Sequence, residues 1–137
     1  MNKKNNLELL PINFRHEKEF FLKTRLDNWS QISKLRDSDI SFIVNKNPLC
    51  TESRLKKIRA ISIFISELEI KPTHAYLLLH CGVGSIKALS NIEPHVIEKR
   101  IGRLERSLNV KTSDPVSLFL LKEWITKAKN LIKNNLL

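Results

Sequence analysis

The residues best placed to do chemistry in this 137-residue chain fall between Gly82 and Arg106. Gly82-Val83-Gly84-Ser85-Ile86-Lys87-Ala88 reads glycine, apolar, glycine, three residues, alanine. At that spacing a backbone turn can cradle a phosphate, because consecutive amides face outward where a helix begins. The donors would be the N–H groups of Gly84, Ser85 and Ile86, with Lys87 beside them. The same residues also carry a purely structural reading. Gly82 then supplies the left-handed residue that ends one helix, and Gly84 relaxes the turn.

Downstream, Lys99, Arg100, Arg103 and Arg106 recur at steps of one, three and three, so a helix gathers them into a stripe. Such a stripe neutralises phosphates without reading bases, giving salt-sensitive and sequence-tolerant affinity. The alternative is a solvated helix face, with Glu98 and Glu105 offsetting the charge. Lys56, Lys57 and Arg59 repeat the theme earlier in the chain. His74, His80 and Cys81 do not share one helix face in zinc geometry and read as packing or surface residues. No serine, cysteine or carboxylate stands in a local nucleophile or acid–base motif. Neither catalysis, a metal nor a cofactor is therefore expected. Tyr76, Trp29 and Trp124 read as core residues rather than as stacking platforms.

Composition limits the partners. The chain carries 24 basic and 14 acidic residues, a net charge of +10 and a pI near 9.9. An excess of this size promotes association with polyanions: nucleic acid, an anionic membrane or an acidic protein face. It is spread along the chain (+3, +4 and +3 over residues 1–50, 51–110 and 111–137), so any patch must come from folding. Cys50 and Cys81 are too few for a disulfide framework. The N-terminal stretch lacks the apolar run of a signal peptide, and no segment approaches the roughly 20 apolar residues of a membrane span. A soluble, cytoplasmic protein is expected.

The elements that must position these residues are helical, since 3 glycines and 5 prolines leave little material for turns. A helical pattern runs from Phe14 to Leu26. Asn28 caps a short helix bearing Trp29, Ile32 and Leu35, and Asp37 or Ser38 caps the next, bearing Ile40, Phe42 and Ile43. Residues 45–51 form a loop around Pro48. From Ser53 to Glu69, Leu55, Ile58, Ile61, Ile65 and Leu68 mark one apolar face. Pro72 opens a helix that Gly82 closes, Ser85 caps another, and Pro94 opens a third reaching Leu108. After a breaker cluster at 109–115, Asp114-Pro115 starts a final helix. That helix buries Val116, Leu118, Phe119, Leu121, Trp124, Ile125, Ala128 and Leu131 or Ile132.

Weak self-similarity suggests two copies of one helical unit. A shift of 57 lays Phe21 on Leu78, Leu26 on Val83, Trp29 on Ile86, Ile32 on Leu89 and Leu35 on Ile92. A second shift, of 46, pairs Arg54-Leu55-Lys56-Lys57-Ile58 with Arg100-Ile101-Gly102-Arg103-Leu104. With Glu69-Ile70-Lys71-Pro72, Ala75-Tyr76 through Gly82-Val83, Glu93-Pro94 and Leu121-Lys122-Glu123-Trp124-Ile125 in place, the chain resembles a bacterial family. That family is the domain of unknown function numbered 4332, whose pattern is that of tandem helix-hairpin-helix units. The resemblance implies two such units, each with a hairpin whose glycines let a phosphate approach the backbone. Here Glu69 and Lys71 stand where the hairpin glycines belong, and Ile12-Asn13-Phe14-Arg15 has no glycine either. Glu69 at such a site repels an anion, which leaves Gly82–Lys87 as the phosphate candidate.

The expected architecture is thus all-α: tandem helix-hairpin-helix-like units, six to eight helices around one core. A polar arm (1–10) precedes a single helical domain (11–137), with a first unit at about 11–69 and a second at about 70–133. The expected function is non-catalytic, sequence-nonspecific nucleic-acid binding. Gly82, Gly84, Ser85 and Lys87 would form the phosphate nest, and Arg100, Arg103, Arg106, Lys56 and Arg59 the positioning charges. The competing expectation is a helical adaptor for a protein partner that has lost phosphate binding.

Overall fold

The computed structural model describes residues 6–108 and 115–135, and all regular structure among them is helical. The chain divides into two compact units, Met1–Pro72 and Thr73–Leu137.

In the first unit, two 3-10 turns (Asn6–Leu9 and Ile12–Phe14) lead into α1 (Arg15–Leu22), α2 (Trp29–Ser33), α3 (Asp37–Lys46) and α4 (Glu52–Leu68). Leu7 and Leu10 are buried, so the second half of the expected polar arm joins the core; residues 1–5 lie outside the described residues. α2 and α3 both pack on α4. Phe14, Phe21, Ile32, Ile40, Leu55, Ile58, Ile61 and Phe64 are buried.

The capping residues set the breaks. Asn28 Oδ1 accepts the Gln31 amide at 2.9 Å and Thr51 Oγ1 accepts that of Arg54 at 3.2 Å. At α3 the expected cap moves. Arg36 occupies the cap position, and Asp39, three residues on, accepts the Arg36 amide at 2.8 Å. That bond holds the Asp39 carboxyl below its ordinary range. Asp37 is left as the first helical residue.

Two features of this unit were not visible in the apolar pattern. Glu17 is fully buried and accepts from the Thr51 amide at 2.9 Å and from Arg54 Nε at 3.0 Å. At the end of α4, Glu69 stands in the left-handed region (φ 57, ψ 36). That conformation costs a residue with a side chain about 1–2 kcal/mol. The gain on the other side is Ile70, buried as the chain reverses, whose amide reaches Phe64 O at 3.4 Å.

The second unit holds α5 (Pro72–His80, from Thr73 on), α6 (Ile86–Asn91), α7 (Pro94–Leu108) and α8 (Leu118–Asn135). Pro72 and Pro94 take the first helical positions, as expected. α6 and α7 both pack on α8, where Leu121, Trp124, Ile125 and Ala128 are buried. Buried His74 lies against the Trp124 ring, with centroids 5.6 Å apart.

The start of α8 corrects the sequence reading. Ser117, rather than Asp114-Pro115, provides the cap, its Oγ accepting the Leu120 amide at 3.1 Å. Asp114 itself is outside the described residues, and Pro115 precedes the helix. Starting the helix there turns Phe119, expected in the core, outward with 70% of its surface exposed.

The two units repeat one plan. Each has a first helix, a very short second helix, a third helix and a long fourth that receives the second and third. The 57-residue shift holds at the buried positions Phe21/Leu78, Ile32/Leu89 and Ile40/Ile97, and at the caps Asn28/Ser85. The 46-residue shift does not hold. Arg54–Ile58 lies in the fourth helix of its unit and Arg100–Leu104 in the third helix of the other. α4 instead matches α8, with Leu55, Ile58 and Ser62 spaced like Leu121, Trp124 and Ala128.

Candidate nucleic-acid interface

Leu77 and Leu78 are buried in α5, and the chain must then reverse to bury Val83. Gly82 makes that turn at φ +93, a conformation that side-chain-bearing residues rarely adopt. The Gly82 amide donates to Leu79 O and the Val83 amide to Leu78 O, each at 3.0 Å. These paired bonds are a Schellman termination, with Val83 as its buried apolar residue. The structural reading of Gly82 is therefore correct.

Gly84 is different. Its φ is not positive, and an added Cβ would meet Leu79 Cδ1 at 3.8 Å, an ordinary contact. Neither backbone nor packing demands glycine there. Ser85 then caps α6, its Oγ accepting the Ala88 amide at 3.0 Å. Among the described residues, no hydrogen bond takes up the amides of Gly84, Ser85 or Ile86. Gly84, Ser85 and Lys87 are exposed.

In the equivalent turn of the first unit Thr24 Oγ1 accepts the Leu26 amide at 3.2 Å, as Leu78 O accepts that of Val83, and Asp27 occupies the place of Gly84.

On α7, burial of Ile97 and Ile101 turns Lys99, Arg100, Arg103 and Arg106 toward solvent. Arg100 reaches back to the end of α5, where Nη1 donates to Cys81 O at 3.3 Å. The guanidinium satisfies a carbonyl at the negative end of a helix and comes to lie beside Gly82. Arg106 folds along its own helix over Gly102, within 3.5 Å of where a Cβ would stand. Arg100 and Arg103 line a shallow cavity of about 340 Å³ with His80, Cys81 and Leu104. Burial pushes the Cys81 thiol above its ordinary range against the pull of Arg100, with Glu105 adding slightly to the rise. The thiol is thus neutral at neutral pH.

The two cations assigned in the first unit are committed elsewhere. Lys56 pairs with Glu52 at 2.9 Å. Arg59 pairs with Asp37 at 2.9 Å and donates to Leu35 O at 3.1 Å, tying α4 to the chain between α2 and α3. Lys23–Glu19, Arg36–Asp39 and Arg54–Glu17 are further pairs of that unit. In the second unit, among the described residues, no carboxylate lies within ion-pair distance of Lys87, Lys99, Arg100, Arg103 or Arg106. Glu52 stands one turn before Lys56, but helical spacing alone could not reveal the partner of Arg59, because Asp37 is remote in sequence. His80 was passed over for the same reason: its neighbours Arg100 and Arg103 arrive from another helix.

The sequence model of the domain of unknown function (DUF4332) matches residues 12–131. The chain belongs to that family. No curated protein and no solved structure matches it. The DUF4332 match spans both units and includes every candidate site residue. No helix among the described residues is long and apolar enough to cross a membrane, and no group of three or more His, Cys, Asp or Glu among them could hold a metal ion.

Proposed function

We propose that this DUF4332 chain is a non-catalytic protein that binds the phosphate backbone of nucleic acid without sequence preference, through its second helix-hairpin-helix-like unit. The observation that carries the reading is the contrast in charge pairing. Lys56 and Arg59 of the first unit each have a carboxylate partner at 2.9 Å, whereas Arg100, Arg103 and Arg106 have none among the described residues. Unpaired arginines on one helix face give a polyanion its binding energy through counterion release. The open amides after Gly84 lie in the same unit, and a glycine that the fold does not require suits close approach by a phosphate. Arg100 takes part with its remaining donors, since one N–H is held by Cys81 O.

The test is a retardation or anisotropy titration of duplex DNA and of RNA across a salt series. Each lost phosphate contact reduces the slope of log K against log salt by about 0.9 on B-form DNA, so R103E/R106E should remove about 2 from it. Gly84→Ala should leave thermal stability unchanged yet weaken binding. Lys56→Glu should change binding little. The absence of any complex at low salt defeats the reading.

The adaptor reading draws on the first unit. Phe42 and Leu49 expose 63% and 64% of their surface there. A stoichiometric, nuclease-resistant complex with one protein, lost on Phe42→Ser or Leu49→Ser, would decide for it.

A further inference from the structure

Tyr76 and His80 face each other across one turn of α5, with Tyr76 Oη and His80 Nε2 2.6 Å apart and the rings in edge contact at 4.4 Å. The contact orients an exposed imidazole toward the cavity that Arg100 and Arg103 line from α7. Arg100 is anchored in turn by Cys81 O. Two of the three basic side chains are therefore held by the fold before any ligand arrives, which lowers the ordering cost of binding. Among the described residues, no carboxylate lines the cavity.

From this arrangement we infer that His80, Arg100 and Arg103 form a pocket for a single phosphate group, and that protonation of His80 tightens binding there. The inference rests on the reading of the second unit as a phosphate-contacting surface. A planar guanidinium presents paired N–H groups to phosphate oxygens, and an imidazolium adds a donor that neutral imidazole holds only in one tautomer. With Nε2 engaged by the Tyr76 hydroxyl, Nδ1 is the atom left for the phosphate.

The groups facing His80 are few. From α5 and the residue after it come the Tyr76 hydroxyl and the Cys81 thiol, both pushed above their ordinary ranges by burial and so uncharged at neutral pH. From α7 come Arg100 and Arg103, and Glu105, whose charge is felt at Cys81.

The experiment compares the full-length protein with His80→Gln on a duplex DNA probe at pH 8.0 and pH 5.5 and fixed salt. One added charge-assisted contact is worth about tenfold in affinity. The wild type should gain about tenfold more than His80→Gln on acidification. His95→Gln should retain that gain, because His95 sits at the other end of α7 beside Glu98. In parallel, inorganic phosphate added to the free protein should shift the His80 imidazole resonances, and Arg103→Glu should abolish the shift. Equal pH dependence in the wild type and His80→Gln, or imidazole resonances that ignore phosphate, overturns the pocket while leaving backbone binding in place. A wild type that binds no DNA at either pH overturns both.

Discussion

Replacing Glu17 tests how the first unit is held together. Its carboxylate is fully buried, with one oxygen accepting the Thr51 amide at 2.9 Å and both oxygens within 3.1 Å of Arg54 Nε. Arg54 in turn donates to Leu49 O at 3.2 Å, so the loop before α4 and the cap of that helix hang on one acid. Glu17→Ala strands the Thr51 amide, at about 1–3 kcal/mol. It also unpairs Arg54. Breaking a fully buried pair costs about 3–5 kcal/mol, but the Arg54 side chain is 32% exposed and recovers hydration, so only part of that applies. A loss of about 3 kcal/mol is expected for Glu17→Ala. Arg54→Ala should cost a similar amount by leaving a charge buried. Glu17→Gln keeps an acceptor for Thr51 and should cost less.

The assay is urea denaturation of the two single variants and the double variant. A coupling energy above about 1 kcal/mol is expected for residues sharing one network. Additive effects within about 0.5 kcal/mol, or a Glu17→Ala loss below about 1 kcal/mol, would refute the claim that this pair anchors the loop.

Three further substitutions probe the turns and the register of α8. Glu69→Gly, at φ 57, should raise stability by about 0.5–1 kcal/mol, because relief of left-handed strain exceeds the added entropy of the unfolded chain; a lower melting temperature would contradict this. Gly82→Ala should lower stability by about 1–2 kcal/mol through its φ of +93 alone, since the nearest atom to the new Cβ would be Arg100 Nη1 at 4.0 Å. Leu121→Ala should cost about 2–5 kcal/mol while Phe119→Ser stays within about 0.5 kcal/mol of the wild type, the order expected when one side chain is core and the other solvated. Equal losses at 119 and 121 would mean that α8 sits in another register.

The helical fold was legible because its signals are local. Pro72 and Pro94 open helices through the fixed proline φ, and Asn28 and Ser85 cap through bonds that span three residues. Gly82 ends α5 because the reversal needs a residue that tolerates positive φ. The 57-residue shift showed as well, since both units bury Phe21/Leu78 and Ile32/Leu89 and cap a short helix at Asn28/Ser85.

What the sequence left open depends on groups brought together from distant positions. It offered Arg59 on the same terms as Arg103 and Arg106, and it could not tell a buried Glu17 from any solvated acid. Folding decided both. It carried Asp37 to Arg59 and Arg54 to Glu17, and it set Arg100 against the end of α5 beside His80. Charges interact through space over a few ångströms, so which cations stay available to a partner is a property of the packed helices rather than of their spacing along the chain.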